Sequence, residues 1–131
     1  MVRRLVDDLS LPVEVVSCPI VREPDGLARS SRNVRLSADG RAAALVLSRA
    51  LEAGRVALAD TGTPSVAEAA MRDVVTREPR VTLAYAAAVE PETLRAPEGA
   101  PAPGTALRLL VAGVVDGVRL IDNAEAVTGP T

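Results

Sequence analysis

The stretch Leu107-Arg-Leu-Leu-Val-Ala-Gly-Val-Val115, Asp116-Gly117, Val118-Arg-Leu-Ile-Asp-Asn123 decides the fold. Two apolar runs flank an Asp-Gly pair. Both of those residue types tolerate the positive φ of a two-residue turn, so the runs are expected to fold back as an antiparallel hairpin. Such a turn sets Val115 opposite Val118, Gly113 opposite Leu120 and Arg108 opposite Glu125, the last as a cross-strand ion pair. Leu107, Leu109, Val111, Val115, Val118 and Leu120 then share one face, with Arg108 and Arg119 on the other. That is the pattern of a sheet covered on one side.

Working outward, Val81, Leu83, Tyr85, Ala87 and Val89 alternate with smaller residues up to Pro91, which predicts a third strand. Pro97 to Gly104 reads as a surface loop. Ser37 is a good N-cap for a helix over about 38–60, with Leu47, Ala50, Leu51 and Leu58 as its apolar stripe. Gly54 lies on that stripe, where a neighbouring backbone can approach closely. Thr61-Gly62 stops this helix, and Thr63-Pro64 caps and opens another, with Val66, Ala70 and Val74 on one side. At the start, Val2, Leu5, Val6 and Leu9 follow helical spacing over residues 1–11, and Val13–Val16 reads as a short strand after Pro12. A helix that begins at Met1 without a cap looks cut. No internal repeat is evident.

The chain has 131 residues, a net charge of −2 and no His, and all 15 of its basic residues are Arg. Without His or Lys there is no His-activated nucleophile, no imidazole metal site, no Schiff base and no Walker-type phosphate loop. A single Cys18 forbids an internal disulfide and suits a reducing compartment. Next to Pro19, Cys18 reads as a small buried residue. The mild negative charge, with Tyr85 the single aromatic side chain, argues against nucleic-acid binding. No stretch is long and apolar enough to span a membrane, and no targeting segment is visible, so a cytoplasmic location is expected. The core must be built from Ala, Val and Leu and will be thin, with the Tyr85 ring expected inside it and its hydroxyl at the rim. Asp122-Asn123 reads as closing the hairpin.

Functional groups concentrate in Arg29-Ser30-Ser31-Arg32-Asn33, just after Asp25-Gly26. Hydroxyls and exposed N–H groups donate to phosphate oxygens, and Arg clamps them bidentately at any working pH. The loop is therefore suited to holding a triphosphate or a leaving pyrophosphate. A solvated Arg-rich loop is the alternative.

The whole segment Cys18-Pro-Ile-Val-Arg-Glu-Pro-Asp-Gly-Leu-Ala-Arg-Ser-Ser-Arg-Asn-Val-Arg-Leu-Ser37 resembles the signature of the pantothenate synthetase (pantoate–β-alanine ligase) family. The likeness continues in order through Arg41–Leu51, Tyr85–Leu94, Arg108–Ala112 and Arg119–Asn123. It implies an α+β fold: a small antiparallel three-stranded sheet with two helices on one face, preceded by a helix-strand remnant of a Rossmann-like domain. Residues 1–19 would be that remnant, 20–36 the signature loop and 37–131 a C-terminal lid. The resemblance further implies ATP-dependent condensation of pantoate with β-alanine through pantoyl adenylate, with Mg²⁺. Val21, Arg29, Ser30, Ser31 and Arg32 fall at its ATP-binding positions, and no catalytic or metal-binding residue is assigned.

Arg29 stands at the family's Met position, Arg35 where an aromatic is usual, and Gly40 where a Glu completes the capping box with Ser37. The family's histidine motif and phosphate-binding lysine have no counterpart in a chain without His or Lys. The expectation is therefore a lid half that is inactive alone. The alternatives are a subunit of a split ligase completed by a separate N-terminal half, pairing as a homodimer, a non-catalytic binding or structural domain, or the product of a truncated gene with no function.

Overall fold

The computed structural model describes residues 2–129. Met1, in the expected first helix, and the last two residues of the expected 37–131 unit lie outside the described residues. Helix α1 spans Val2–Asp8, a 3₁₀ turn Ser31–Arg35, α2 Ala38–Ala44, α3 Val46–Thr61 and α4 Pro64–Thr76. Strands β1 (Thr82–Val89), β2 (Ala106–Val115) and β3 (Val118–Val127) form one antiparallel sheet in the order β1-β2-β3. The fold is α+β.

The hairpin closes in the expected register: Val115 faces Val118, Gly113 faces Leu120 and Arg108 faces Glu125. Asp116 and Gly117 both take positive φ, as a type I′ turn requires. The Arg108–Glu125 ion pair is present at 3.4 Å. Leu107, Leu109, Val111, Val115, Val118 and Leu120 are all buried, and α3 and α4 cover this face. The core is aliphatic, its largest fully buried side chains being Leu58, Met71, Leu107 and Leu109.

Strand β1 departs from simple alternation. Leu83 pairs with Gly113 and Tyr85 with Ala112, so a bulge inserts one extra residue at Ala84. With a side-chain period of two, one extra residue exchanges the faces of everything beyond it. Val81 is buried before the bulge, and Ala86 and Ala88 after it. Tyr85 is thereby turned out of the core onto the open face.

The helices differ in detail. The expected 38–60 helix is two helices, separated at Leu45, whose N–H bonds to the Ala42 carbonyl in a tighter turn. Leu47, Ala50, Leu51 and Leu58 are buried as expected. Gly62 takes φ +64° and caps α3 through its N–H to the Leu58 carbonyl. Thr63 precedes α4 but its side chain accepts no capping hydrogen bond; its hydroxyl donates to the Thr61 carbonyl. The buried stripe of α4 is Ala67, Met71 and Val75, one position on from Val66, Ala70 and Val74. The helix is turned so that Met71 faces Gly54. A Cβ there would lie 2.7 Å from Met71 Cγ, so the glycine makes room for a side chain and not, as expected, for a backbone.

Helix α1 forms but buries no residue. Residues 13–16 carry no strand, because no second strand lies beside them to complete a hydrogen-bond ladder. Cys18, expected to be buried, is exposed, as are its neighbours on both sides.

Candidate functional site

The signature loop is a small hairpin of its own. Arg29 N–H donates to the Val21 carbonyl (2.9 Å) and Glu23 N–H to the Leu27 carbonyl (2.8 Å). Between them Gly26 takes φ +94°, a conformation that suits glycine. The Asp25 carboxylate accepts from Leu27 N–H (3.1 Å) and from the Arg41 guanidinium (2.8 Å). The Leu27 amide and then Arg41 hold its carboxyl below the usual carboxylate range.

One ion pair fastens this hairpin to the sheet. Arg22 donates to both Asp122 oxygens, at 2.7 and 3.0 Å, and also to the Gly26 carbonyl at 3.0 Å. Asp122 lies opposite Val111 on the covered face of the sheet, with its side chain only 4% exposed. It accepts from Asn123 N–H as well (2.8 Å). The expectation that Asp122 merely closes the hairpin is corrected: it anchors the loop.

Docking of the loop encloses a cleft of about 230 Å³, lined on the loop side by Arg29, Ser30, Arg32 and Asn33 and on the β3 side by Arg119, Ile121 and Asp122. Ser30 stands at the N-cap of the 3₁₀ turn and accepts from Arg32 N–H (3.2 Å). Asn33 donates to the Ala28 carbonyl (3.0 Å), while its Oδ1 is buried without a partner among the described residues. Of the sequence-predicted residues, Arg29, Ser30 and Arg32 meet at the cleft. Val21 and Ser31 are exposed and do not line it.

The charges around the cleft are unequal. Arg29 is paired with Glu23 at 3.0 Å and Arg22 with Asp122. Among the described residues, Arg32 and Arg119 have no carboxylate within ion-pair distance. The cleft thus presents two uncompensated guanidiniums and a hydroxyl, which is the chemistry of an oxyanion site. It does not fit a cation. Asp122, the carboxylate on its wall, is already bound, and among the described residues no group of three His, Cys, Asp or Glu side chains could hold a metal.

Arg119, Asn33 and Asp122 are the polar cleft residues that sequence reasoning did not assign to a site. The hairpin register placed Arg119 on the open face, but nothing local to it reveals the loop docked alongside.

The N-cap of α2 is also completed from a distance. Ser37 Oγ accepts from Gly40 N–H (2.9 Å), and Asp116 Oδ2 accepts from Ser37 N–H (2.9 Å) and from its hydroxyl (2.7 Å). Asp116 performs the task of the missing capping-box Glu. These two bonds, the hydroxyl first, hold its carboxyl below the usual range.

Comparison with known proteins agrees with this architecture. The family model for pantoate-beta-alanine ligase matches residues 1–125. The pantothenate synthetase of Paracoccus denitrificans is 49% identical over 125 residues, covering 94% of this chain and 42% of that protein. That of Chloroflexus aurantiacus is 48% identical, with 94% and 43% covered. The crystal structure of pantothenate synthetase from Thermus thermophilus superimposes with a TM-score of 0.84 at 46% identity, covering 94% of this chain and 44% of that one. The chain spans about two fifths of the length of the curated relatives it matches. Among the described residues no helix is long and apolar enough to cross a membrane. With its family model matched over nearly the whole chain, and the same fold in a solved relative, the chain belongs to the pantoate–β-alanine ligase family.

Proposed function

We propose that this chain supplies the polyphosphate-binding wall and lid of an ATP-dependent pantoate–β-alanine ligase. The observation that carries the reading is the cleft in which Arg29, Ser30 and Arg32 converge while Arg32 keeps its charge uncompensated among the described residues. In this reading residues 1–19 are the end of a Rossmann-like domain, 20–36 the signature loop and 37–131 the lid. ATP, when bound, would supply an adenylyl group: the pantoate carboxylate takes it at the α-phosphorus with release of pyrophosphate, and the β-alanine amine then attacks the acyl carbon with release of AMP. The residues of this chain act on the charge. Ser30 and the guanidiniums of Arg32 and Arg29 hold the phosphate oxygens and stabilise the negative charge that gathers on the departing pyrophosphate. Val21 and Ser31 stand outside the cleft and in this reading contact ATP beyond it, Val21 through its backbone beside the nucleobase. No group of three His, Cys, Asp or Glu side chains among the described residues could hold a metal, and Mg²⁺ bound with ATP would be held chiefly by the phosphate oxygens.

The chain carries no His or Lys to act as a proton-transfer group or second phosphate clamp. It is therefore inactive alone as a ligase. Calorimetry with ATP tests the binding role: heat that disappears in Arg32→Ala supports it, and an absence of binding favours a non-catalytic structural domain. Pantoate-dependent pyrophosphate release by the purified chain at a rate typical of an enzyme would overturn the claim of inactivity.

A second reading, one subunit of a split ligase, is favoured by α1. Val2 and Leu5 on α1 and Leu9 just after it are each more than half exposed, and Leu11, Val13 and Val16 are exposed as well. Mixing with an N-terminal half restores activity if this face is the joint. If a homodimer covers it instead, the chain sediments as a dimer without that half. An exposed free Cys18 fits a reducing, cytoplasmic setting.

A further inference from the structure

We propose that Arg119 is an additional polyphosphate-binding residue of the cleft and that Tyr85 is its positioning residue. The inference rests on the reading of the cleft as an oxyanion site. Arg119 lines the same cleft as Arg29, Ser30 and Arg32 but rises from β3, on the opposite wall. An anion seated there would be gripped from both sides, and by a guanidinium on a strand rather than on a loop.

The two arginines of the open sheet face are treated differently. Arg108 lies opposite Glu125 and is neutralised by it. Arg119 lies opposite Val114 and has no carboxylate partner among the described residues. Its guanidinium is instead held 5.8 Å from the centroid of the Tyr85 ring. An aromatic face attracts the cation without using up the fork of N–H donors, so these remain available for a phosphate. The ring also narrows the set of conformations that a long side chain must give up on binding.

Tyr85 occupies this place because of the bulge at Ala84. Without the extra residue, Tyr85 would point to the covered face with Val81 and Leu83. With it, Tyr85 stands on the open face opposite Ala112. Ala112, between Tyr85 on β1 and Ile121 on β3, is fully buried although it belongs to the open face. The small residue leaves room for its larger neighbours to close over it. The bulge, the ring and the alanine together fix where the Arg119 side chain lies on the open face.

The test is calorimetric titration of the full 131-residue chain with inorganic tripolyphosphate, alongside circular dichroism to show that each variant is folded. Loss of one charge-assisted contact weakens binding about tenfold in Arg119→Ala, with partial recovery in Arg119→Lys. Tyr85→Phe keeps the ring and binds as wild type, whereas Tyr85→Leu weakens binding about threefold. If Arg119→Ala binds like wild type while Arg32→Ala does not, Arg119 is outside the site and the proposal falls with the cleft reading intact. If Tyr85→Phe is as weak as Tyr85→Leu, the ring is not what positions Arg119. If the wild-type chain binds no tripolyphosphate, both the cleft reading and the proposal are rejected.

Discussion

Removing Arg22 should unfold the chain more readily than removing the charge of its partner. Arg22→Ala leaves Asp122, with its side chain 4% exposed, as an unpaired carboxylate on the covered face of the sheet. Asp122→Asn leaves Arg22, whose side chain is 32% exposed, able to turn to water. Breaking a fully buried pair from one side costs about 3–5 kcal/mol. The partial exposure of Arg22 admits water and places this case at the lower end, about 3 kcal/mol for Arg22→Ala. Asp122→Asn keeps one oxygen to accept from Asn123 N–H and from one Arg22 N–H, while its amide N–H₂ cannot accept the second Arg22 hydrogen bond; with Arg22 able to turn to water the cost is about 1–2 kcal/mol.

Urea unfolding of wild type, both single variants and the double variant, followed by circular dichroism, gives the costs and the coupling energy. The double variant should cost less than the sum of the two. The variants should also move tripolyphosphate affinity in opposite directions. Arg22→Ala bares a negative charge on the cleft wall and weakens binding, while Asp122→Asn frees a positive one and strengthens it. A cost for Arg22→Ala no greater than for Asp122→Asn would refute the reasoning, because it would mean that Asp122 is hydrated without its partner.

Other perturbations follow from the same geometry. Gly40→Glu restores the usual capping-box residue yet should destabilise, because its Cβ runs into the Asp116 carboxylate; in an Asp116→Gly background the same change should be neutral or stabilising by urea midpoint. The pKa of Asp116 is lowered by folding, so the cap contributes fully above the ordinary Asp range and is lost as pH falls through the folded value. A urea midpoint titrated from pH 6 to about pH 2 should fall more steeply for wild type than for Asp116→Ala, and parallel curves would argue against it. Gly54→Ala gains about 1 kcal/mol of helix propensity but crowds Met71 and Leu109, an overpacking cost of about 1–3 kcal/mol, so the thermal midpoint should drop slightly. Adding Met71→Ala to it should relieve the crowding term.

The parts of this fold that were legible in the sequence are those set by neighbours along the chain. Asp116-Gly117 determined the register of ten-residue strands on either side, and with it the core face and the Arg108–Glu125 pair. The run Leu83-Ala-Tyr-Ala-Ala-Ala carries no mark of the bulge. Small residues fit either face, so the phase of β1 is decided by pairing with β2 and by what α4 presses against it. Val13–Val16 has strand composition but no strand to pair with, and composition alone cannot supply one. Half of the candidate site, Arg29, Ser30 and Arg32, was readable because three such groups fall within four residues. Its other half was not, because Asp122 is given its role by an arginine 100 positions away and Arg119 by a tyrosine on a different strand.

That separation of 100 residues also orders events in time. The hairpin of β2 and β3 is local and can form early, as can the helical pair α3 and α4. The Arg22–Asp122 fastening closes a loop that contains nearly all of the rest, and such long closures come late, once the intervening chain has already condensed. The cleft therefore does not exist in any partly folded form that retains only the hairpin or only the loop. Any anion that occupies it binds the finished molecule alone and raises its population by mass action. Phosphate-rich conditions should accordingly slow unfolding while leaving the rate of the early folding steps unchanged.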